Sequence, residues 1–157
     1  MKKISALILF VVFIFSGCTG SKIKTSVSSN NGLQQPAEVI ENYFKYENER
    51  NRDKVLSTLT EWHGEPNVDL GLENIKSIRL NSISEDTNPI HMEGYLKYGP
   101  GKINGAQEEN VRMYKIQYTV KLKKDGVGPQ NSGRYAKGCT LIRKDKNSPW
   151  LIDEIGE

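Results

Sequence analysis

The sequence predicts an α+β domain in which two N-terminal helices pack on a curved antiparallel sheet of about four strands. Two observations carry this prediction: apolar residues recur at helical spacing just after Pro36, and apolar and polar residues alternate from Tyr114 to Lys123. Helices that precede a run of strands are typical of an α+β layer architecture. A chain of 157 residues with 36% hydrophobic and 26% charged residues suits one soluble domain with one core.

The chain begins with a segment that is typical of a secretion signal. Lys2 and Lys3 precede an apolar run from Ile4 to Phe15, which only Ser5 interrupts. A run of about a dozen residues matches the apolar region of a signal peptide and is shorter than the ~20 residues of a membrane-spanning helix. We therefore expect residues 1–17 to be removed from the mature protein.

The residues that end this segment, Phe15-Ser16-Gly17-Cys18, resemble the bacterial lipobox, although Phe15 replaces the usual leucine. In that motif, small residues precede a cysteine that becomes the lipidated first residue of the mature chain. The resemblance implies two acyl chains on Cys18, which hold a protein firmly where one chain holds it only marginally. We expect a lipid-anchored protein on the extracytoplasmic face of the cell membrane. The alternative is an ordinary signal peptide with an incidental cysteine.

Residues 18–35 comprise the lipidated cysteine and a flexible tether in this interpretation. They are rich in Ser, Thr, Asn, Gly and Gln and lack a sustained apolar period. A coil of this length has a root-mean-square reach of roughly 20 to 25 Å. Removal of residues 1–17 takes away two lysines and lowers the formal net charge from +3 to +1. This balance, without a dense Lys/Arg stripe, predicts no nucleic-acid partner.

The folded domain spans residues 36–157 and begins with an amphipathic helix. Its apolar face is formed by Val39, Ile40, Tyr43 and Phe44. This spacing, together with Pro36 in the first turn, indicates a helix whose other face is charged. Asn51 is a suitable N-cap for a second, short helix that ends before the break at 63–66.

Strands are predicted from there to the end of the chain. The predicted segments are 75–83, 92–98, 114–123, 134–144 and 149–155. Irregular apolar spacing in the first segment indicates a bulge or a slip between faces. Breakers at Gly99-Pro100-Gly101 and Asn104-Gly105 predict a polar loop after the second segment. Strict alternation makes the third segment the clearest strand, with one buried and one wet face.

Two stretches of the sequence are similar to a known family. The stretches are Tyr43-Phe44-Lys45-Tyr46-Glu47-Asn48-Glu49 and Leu72-Glu73-Asn74-Ile75-Lys76-Ser77-Ile78. They resemble Firmicute lipoproteins known as domain of unknown function 4829. The order of elements from Pro36 to the end resembles the nuclear-transport-factor-2-like, or cystatin-like, superfamily. This resemblance implies a cone-like fold but no chemistry, because that superfamily hosts enzymes, binding modules and immunity-type proteins alike.

Enzymes of that superfamily place an acid, a histidine or a tyrosine in the pocket between sheet and helices. The resemblance therefore makes Tyr43, Tyr114, Tyr118 and His91 candidate pocket residues. Core tyrosines whose hydroxyls reach the rim explain the same pattern. No catalytic residue is assigned by the sequence.

No pattern in the sequence calls for a cofactor or a metal ion. It contains no HExxH, CxxC or GxSxG motif and no phosphate-binding glycine loop before a helix. Glu61, His63 and Glu65 offer at most a partial set of zinc ligands, and a solvated loop is the simpler interpretation. Cys139 is predicted to be a small buried apolar residue rather than a reactive thiol.

Lysines near the clearest strand allow two interpretations. The residues concerned are Lys115, Lys121, Lys123 and Lys124. They could form a basic patch for anionic lipid or wall polymer. Gln117 and Thr119 interrupt them, which favours a solvated strand face with edge-protecting lysines.

These observations favour a non-enzymatic lipoprotein that binds a small ligand or an envelope protein. The alternative is a small isomerase, dehydratase or hydrolase that uses the same pocket. A deep pocket holding an ionisable side chain with a shifted pKa would support the enzyme, whereas a filled apolar cone would exclude it. A structural or envelope-stress interaction protein would instead show an exposed apolar patch on the open face of the sheet.

Overall fold

The computed structural model describes residues 33–61 and 68–156 and shows a mixed α+β fold within them. The helices are α1 (Pro36–Glu49), α2 (Arg52–Leu56), α3 (Pro89–Tyr98) and α4 (Pro100–Asn104), and the strands are β1 (Ile75–Glu85), β2 (Val111–Leu122), β3 (Gly133–Ile142) and β4 (Leu151–Gly156). The strands form one sheet in the order β1-β2-β3-β4, and each neighbouring pair is antiparallel. The predicted α+β class and antiparallel sheet of four strands are confirmed. The predicted signal peptide, Cys18 and most of the tether lie outside the described residues.

Helix α1 is fixed at both ends by features that the sequence carries. It begins at Pro36, where the absent N–H costs nothing because the first turn leaves its donors unpaired. It ends at Glu49, and the capping residue Arg50, with a φ of 54°, turns the chain out of the helix. The Arg50 Nε then donates a hydrogen bond of 2.8 Å to the carbonyl of Ile75. The end of α1 is thereby held against the start of β1.

The core lies between α1 and one face of the sheet. Its most deeply buried large side chains include Ile40 of α1, Ile116 of β2, Leu141 of β3 and Ile152 of β4. Burial of each such side chain contributes roughly 1.5 to 3 kcal/mol, which is why the alternating pattern of β2 specifies this face. The predicted irregularity of β1 is confirmed, because its pairing with β2 shifts register twice.

The prediction of a strand over Met92–Tyr98 is wrong, because this segment is the body of helix α3. The residues that indicate a helix start lie immediately upstream of this segment. The Asn88 side chain accepts a hydrogen bond of 3.1 Å from the Ile90 N–H, and Pro89 occupies the first helical position. The predicted polar loop that follows contains a further short helix, α4.

A buried aspartate in β4 holds α3 and α4 in place. Asp153 is 0% exposed. It accepts hydrogen bonds from the hydroxyls of Tyr95 and Thr60, at 2.6 and 3.0 Å, and from the amide of Asn104, at 2.9 and 3.0 Å. Gly101 packs directly against the Tyr95 ring, where a Cβ atom would overlap it. A buried carboxylate with several hydrogen-bond donors is stabilised. Asp153 thereby links β4 to α3, to α4 and to the segment after α2.

Candidate functional site

The larger candidate site is a cavity of about 740 Å³ between α1 and the sheet. Its walls come from α1, from the four strands, from the segment 69–74 before β1 and from the turn after β2. The lining residues that carry polar groups include Tyr43, Glu47, Tyr118, Gln130 and Lys137. A volume of this size lies within the range of about 300 to 1,000 Å³ that small-molecule sites occupy in proteins.

Glu47 is the polar centre of this cavity. It is only 9% exposed, and its Oε1 accepts a hydrogen bond of 2.9 Å from the Tyr43 hydroxyl. The two residues are one helical turn apart on α1, which places both side chains on the same face. Burial raises the pKa of Glu47 from 4.5 to about 7, and the hydrogen bond from Tyr43 offsets only part of that rise. The carboxyl group can therefore be neutral or ionised near neutral pH.

Aromatic side chains from α1 and β2 line the cavity together with Glu47. The Phe44 ring lies 5.1 Å from the Tyr118 ring, which stacks on Tyr135 at 5.6 Å. The Tyr118 hydroxyl donates to the side-chain oxygen of Gln130 at 3.1 Å. Burial, and then the neighbouring Glu47, raise the pKa values of both Tyr43 and Tyr118. Both tyrosines remain protonated hydrogen-bond donors at physiological pH.

A second cavity of about 460 Å³ lies between α3, the Gly99–Pro100 junction and the ends of β2 to β4. His91 lines it, and its Nδ1 lies 2.6 Å from the Asp86 carboxylate. Because Asn88 Oδ1 accepts the helix-capping bond, its amide nitrogen faces His91 Nε2 at 3.3 Å. We therefore assign the His91 proton to Nδ1.

Electrostatics around Asp86 in this second cavity favour its ionised form. Burial opposes ionisation, but the hydrogen bonds from His91 and from the Asn88 N–H outweigh it and lower the pKa of Asp86. The Lys115 ammonium adds an ion pair at 3.4 Å. Tyr114 also lines this cavity, and burial raises the pKa of its hydroxyl.

The four candidate pocket residues are divided between the two cavities. Tyr43 and Tyr118 line the cavity under α1, whereas Tyr114 and His91 line the cavity beside α3. Glu47 was not among the candidates, although a signal for it existed. It lies four residues after Tyr43, so it continues the apolar face of α1 with an acid.

Cys139 is buried as predicted. It is 1% exposed, and burial raises the pKa of its thiol to about 12, so the thiol is protonated and unreactive at neutral pH. The partial zinc set cannot be placed, because His63 and Glu65 lie outside the described residues. Within residues 33–61 and 68–156, no three His, Cys, Asp or Glu side chains converge as a metal site.

Two further observations concern membrane crossing and the exposed apolar side chains. None of the helices in the described part of the chain has the length and apolar character that crossing a bilayer requires. The large apolar side chains that are exposed in the described residues are Ile90, Tyr98, Ile103 and Val127. Three of them belong to α3 and α4, and none of the four lies in a described strand.

Comparison with known proteins identifies one family. The family model described as Domain of unknown function (DUF4829) matches residues 37–156, which include every strand above and every helix apart from Pro36, the first residue of α1. No curated protein and no solved structure matches the chain. The match covers most of the 157 residues. The chain belongs to the family described as Domain of unknown function (DUF4829).

Proposed function

We propose that this protein is a lipoprotein, anchored through Cys18 to the outer face of the cytoplasmic membrane, whose domain binds a small organic molecule in the cavity under α1. One observation carries the binding function: a buried carboxyl, Glu47, is hydrogen-bonded to Tyr43 inside a cavity of about 740 Å³. The anchor is supported by the signal-like segment and the lipobox resemblance at 15–18. The placement of α1 against an antiparallel sheet supports membership in the nuclear-transport-factor-2-like superfamily.

The position of Glu47 is costly for folding and useful for binding. A carboxyl group that is removed from water loses hydration that one hydrogen bond does not restore. A leucine or methionine at the same place on α1 would stabilise the apolar core without that cost. Residues that weaken a fold in this way are characteristic of functional sites. The cavity is therefore better explained as a binding site than as a packing defect.

The walls of the cavity define the chemistry of the ligand. Apolar and aromatic side chains supply most of the surface, including Phe44, Ile78 and Tyr118, so the body of the ligand is apolar or aromatic. The Glu47 carboxylate favours a ligand that carries an amine, because a cation against a buried carboxylate forms a charge-assisted hydrogen bond. Such a ligand would also lower the pKa of Glu47.

A thermal-shift experiment on the protein tests this proposal. We use phenethylamine as the probe and 3-phenylpropionate as its anionic counterpart, and we compare the wild type with Glu47→Gln and with Glu41→Gln, an exposed acid of the same helix. A bound ligand raises the melting temperature by mass action. We expect the amine to stabilise the wild type and Glu41→Gln but not Glu47→Gln. Equal shifts in all three proteins would contradict the role of Glu47.

The pKa of Glu47 also favours a second candidate, an enzyme of the isomerase, dehydratase or hydrolase type. A carboxyl with a pKa of about 7 can accept and return a proton near neutral pH, as general acid–base catalysis requires. Turnover of a substrate that is lost in Glu47→Gln and follows a pKa near 7 would establish this candidate. Saturable binding without turnover would establish the binding protein.

The anchor is tested separately. Incorporation of labelled palmitate into the protein, and its loss in Cys18→Ser, would establish lipidation. Equal membrane association of Cys18→Ser and the wild type, without incorporated label, would contradict the anchor and leave the binding function untouched.

A further inference from the structure

The face of the sheet opposite α1 carries cations from three neighbouring strands. Arg79 of β1 pairs with Thr119 of β2, which pairs in turn with Arg134 of β3. Because neighbouring strands lie about 4.8 Å apart, the two arginines are about 10 Å apart. Lys121 follows Thr119 by two residues and so points to the same side. All three cations are exposed, and we call Arg79, Lys121 and Arg134 the basic face.

Among the strand residues that the structure describes, no acid lies beside the basic face to compensate its charge. The strand residues around it on this side are small or uncharged: Ser77, Ser82, Gln117, Thr119 and Ala136. Arg134 donates a hydrogen bond of 2.6 Å to the neutral side chain of Gln117. Lys115, at the rim near α3, is different because it pairs with Asp86. A group of like charges weakens a fold through self-repulsion, so folding does not explain it.

Edge protection does not explain it either. Lysines protect a sheet where a strand has an unpaired edge. The strand that carries Lys115 and Lys121 lies between β1 and β3, with neighbours on both sides. The predicted solvated strand face is confirmed for Lys115 and Lys121, which are exposed, but their predicted role as edge protection is wrong.

We propose that the basic face docks on the anionic lipid headgroups of the membrane to which the chain is attached. A second copy of the chain would place cations against cations, which disfavours a symmetric dimer through this face. None of the large exposed apolar side chains in the described residues belongs to the strands of this face, so these strands offer no apolar anchor for a protein interface. Arginine and lysine side chains that project above serine and alanine suit phosphate groups at an anionic surface.

The proposed membrane attachment, on which this inference rests, brings the surface within reach. The 17 residues from 19 to 35 precede α1. Fully extended, such a segment spans about 55 to 60 Å, which is enough to let a small domain turn either face to the bilayer. Docking through the basic face would leave the cavity under α1 on the side away from the lipid.

The test is lysine acetylation of the full chain reconstituted in vesicles, read by mass spectrometry. Vesicles of phosphatidylcholine are compared with vesicles that contain phosphatidylglycerol, and flotation reports attachment in both. We expect acetylation of Lys121 to fall at least fivefold in the anionic vesicles, whereas Lys102 and Lys146, which are exposed elsewhere, keep their rates. High salt screens the attraction and should restore the acetylation rate of Lys121.

A pair of variants with matched charge completes the test. Arg79→Gln combined with Arg134→Gln removes two cations from the basic face, and Lys102→Gln combined with Lys146→Gln removes two from elsewhere. Each basic residue near an anionic surface changes the equilibrium constant for docking about fivefold. The double variant of Arg79 and Arg134 should therefore weaken docking about 25-fold, and the double variant of Lys102 and Lys146 should not. Flotation in both lipids with equal acetylation of Lys121 would overturn the docking alone. Loss of flotation in both lipids would overturn the attachment and the docking together.

Discussion

Replacement of Glu47 by glutamine should remove a pH dependence of stability that the structure predicts. The folded protein holds a proton on Glu47 up to a pKa of about 7, whereas the unfolded chain releases it near 4.5. The contribution of Glu47 to the free energy of unfolding is therefore fully present below about pH 4.5 and is lost as the pH rises through the folded-state pKa of about 7. At about 1.4 kcal/mol for each pKa unit, the loss amounts to about 3 kcal/mol.

The Glu47→Gln variant keeps the size of the side chain and an oxygen that accepts from the Tyr43 hydroxyl. It cannot ionise, so it should match the wild type near pH 4 and exceed its free energy of unfolding by about 3 kcal/mol near pH 8. Urea unfolding of both proteins at several pH values measures the difference, and other titrating groups cancel between them. Glu41→Gln, on the exposed side of α1, is the control and should leave the pH dependence unchanged.

One outcome would show that Glu47 is not a buried acid. If the difference in unfolding free energy between Glu47→Gln and the wild type is the same at pH 5 and at pH 8, Glu47 does not titrate within this range in the folded protein. The carboxyl would then be hydrated, and the cavity under α1 would lack the buried acid on which its proposed function depends.

Further predictions concern the contacts that hold α3 and α4. Asp153→Ala leaves its buried donors without an acceptor and should lower the free energy of unfolding by about 3 kcal/mol, whereas Asp145→Ala in an exposed turn should change it little. Gly101→Ala forces a methyl group into the Tyr95 ring and should cost about 2 kcal/mol. Gly94→Ala meets no atom within 4 Å inside α3 and should stabilise by about 0.5 to 1 kcal/mol. Urea unfolding measures all of these, and a destabilised Gly94→Ala would contradict the described helix.

Local patterns predicted the parts of the fold that local physics decides. The apolar spacing after Pro36 and the alternation in β2 each specify an element on their own. The segment 92–98 carries apolar residues that suit either a strand or a helix, and its cap at Asn88 settles the choice. A search for apolar runs alone misses this cap, because the decisive residues lie upstream of the run.

The candidate site was harder to predict than the fold. The separation of Tyr114 from Tyr118 depends on where α3 covers the sheet, and no pattern within β2 reveals that. The shifted pKa of Glu47 depends on burial by strands that are distant in sequence. The central position of β2, which changes the interpretation of its lysines, likewise follows only from the strand order.

Carbon-detected NMR titration of the Glu47 carboxyl group measures its pKa and shows whether this acid is buried in a ligand site. The structure predicts a pKa of about 7, with a fall when an amine occupies the cavity. A value near 4.5 that does not respond to the amine would show that the carboxyl is exposed to water and that no ligand site forms around it.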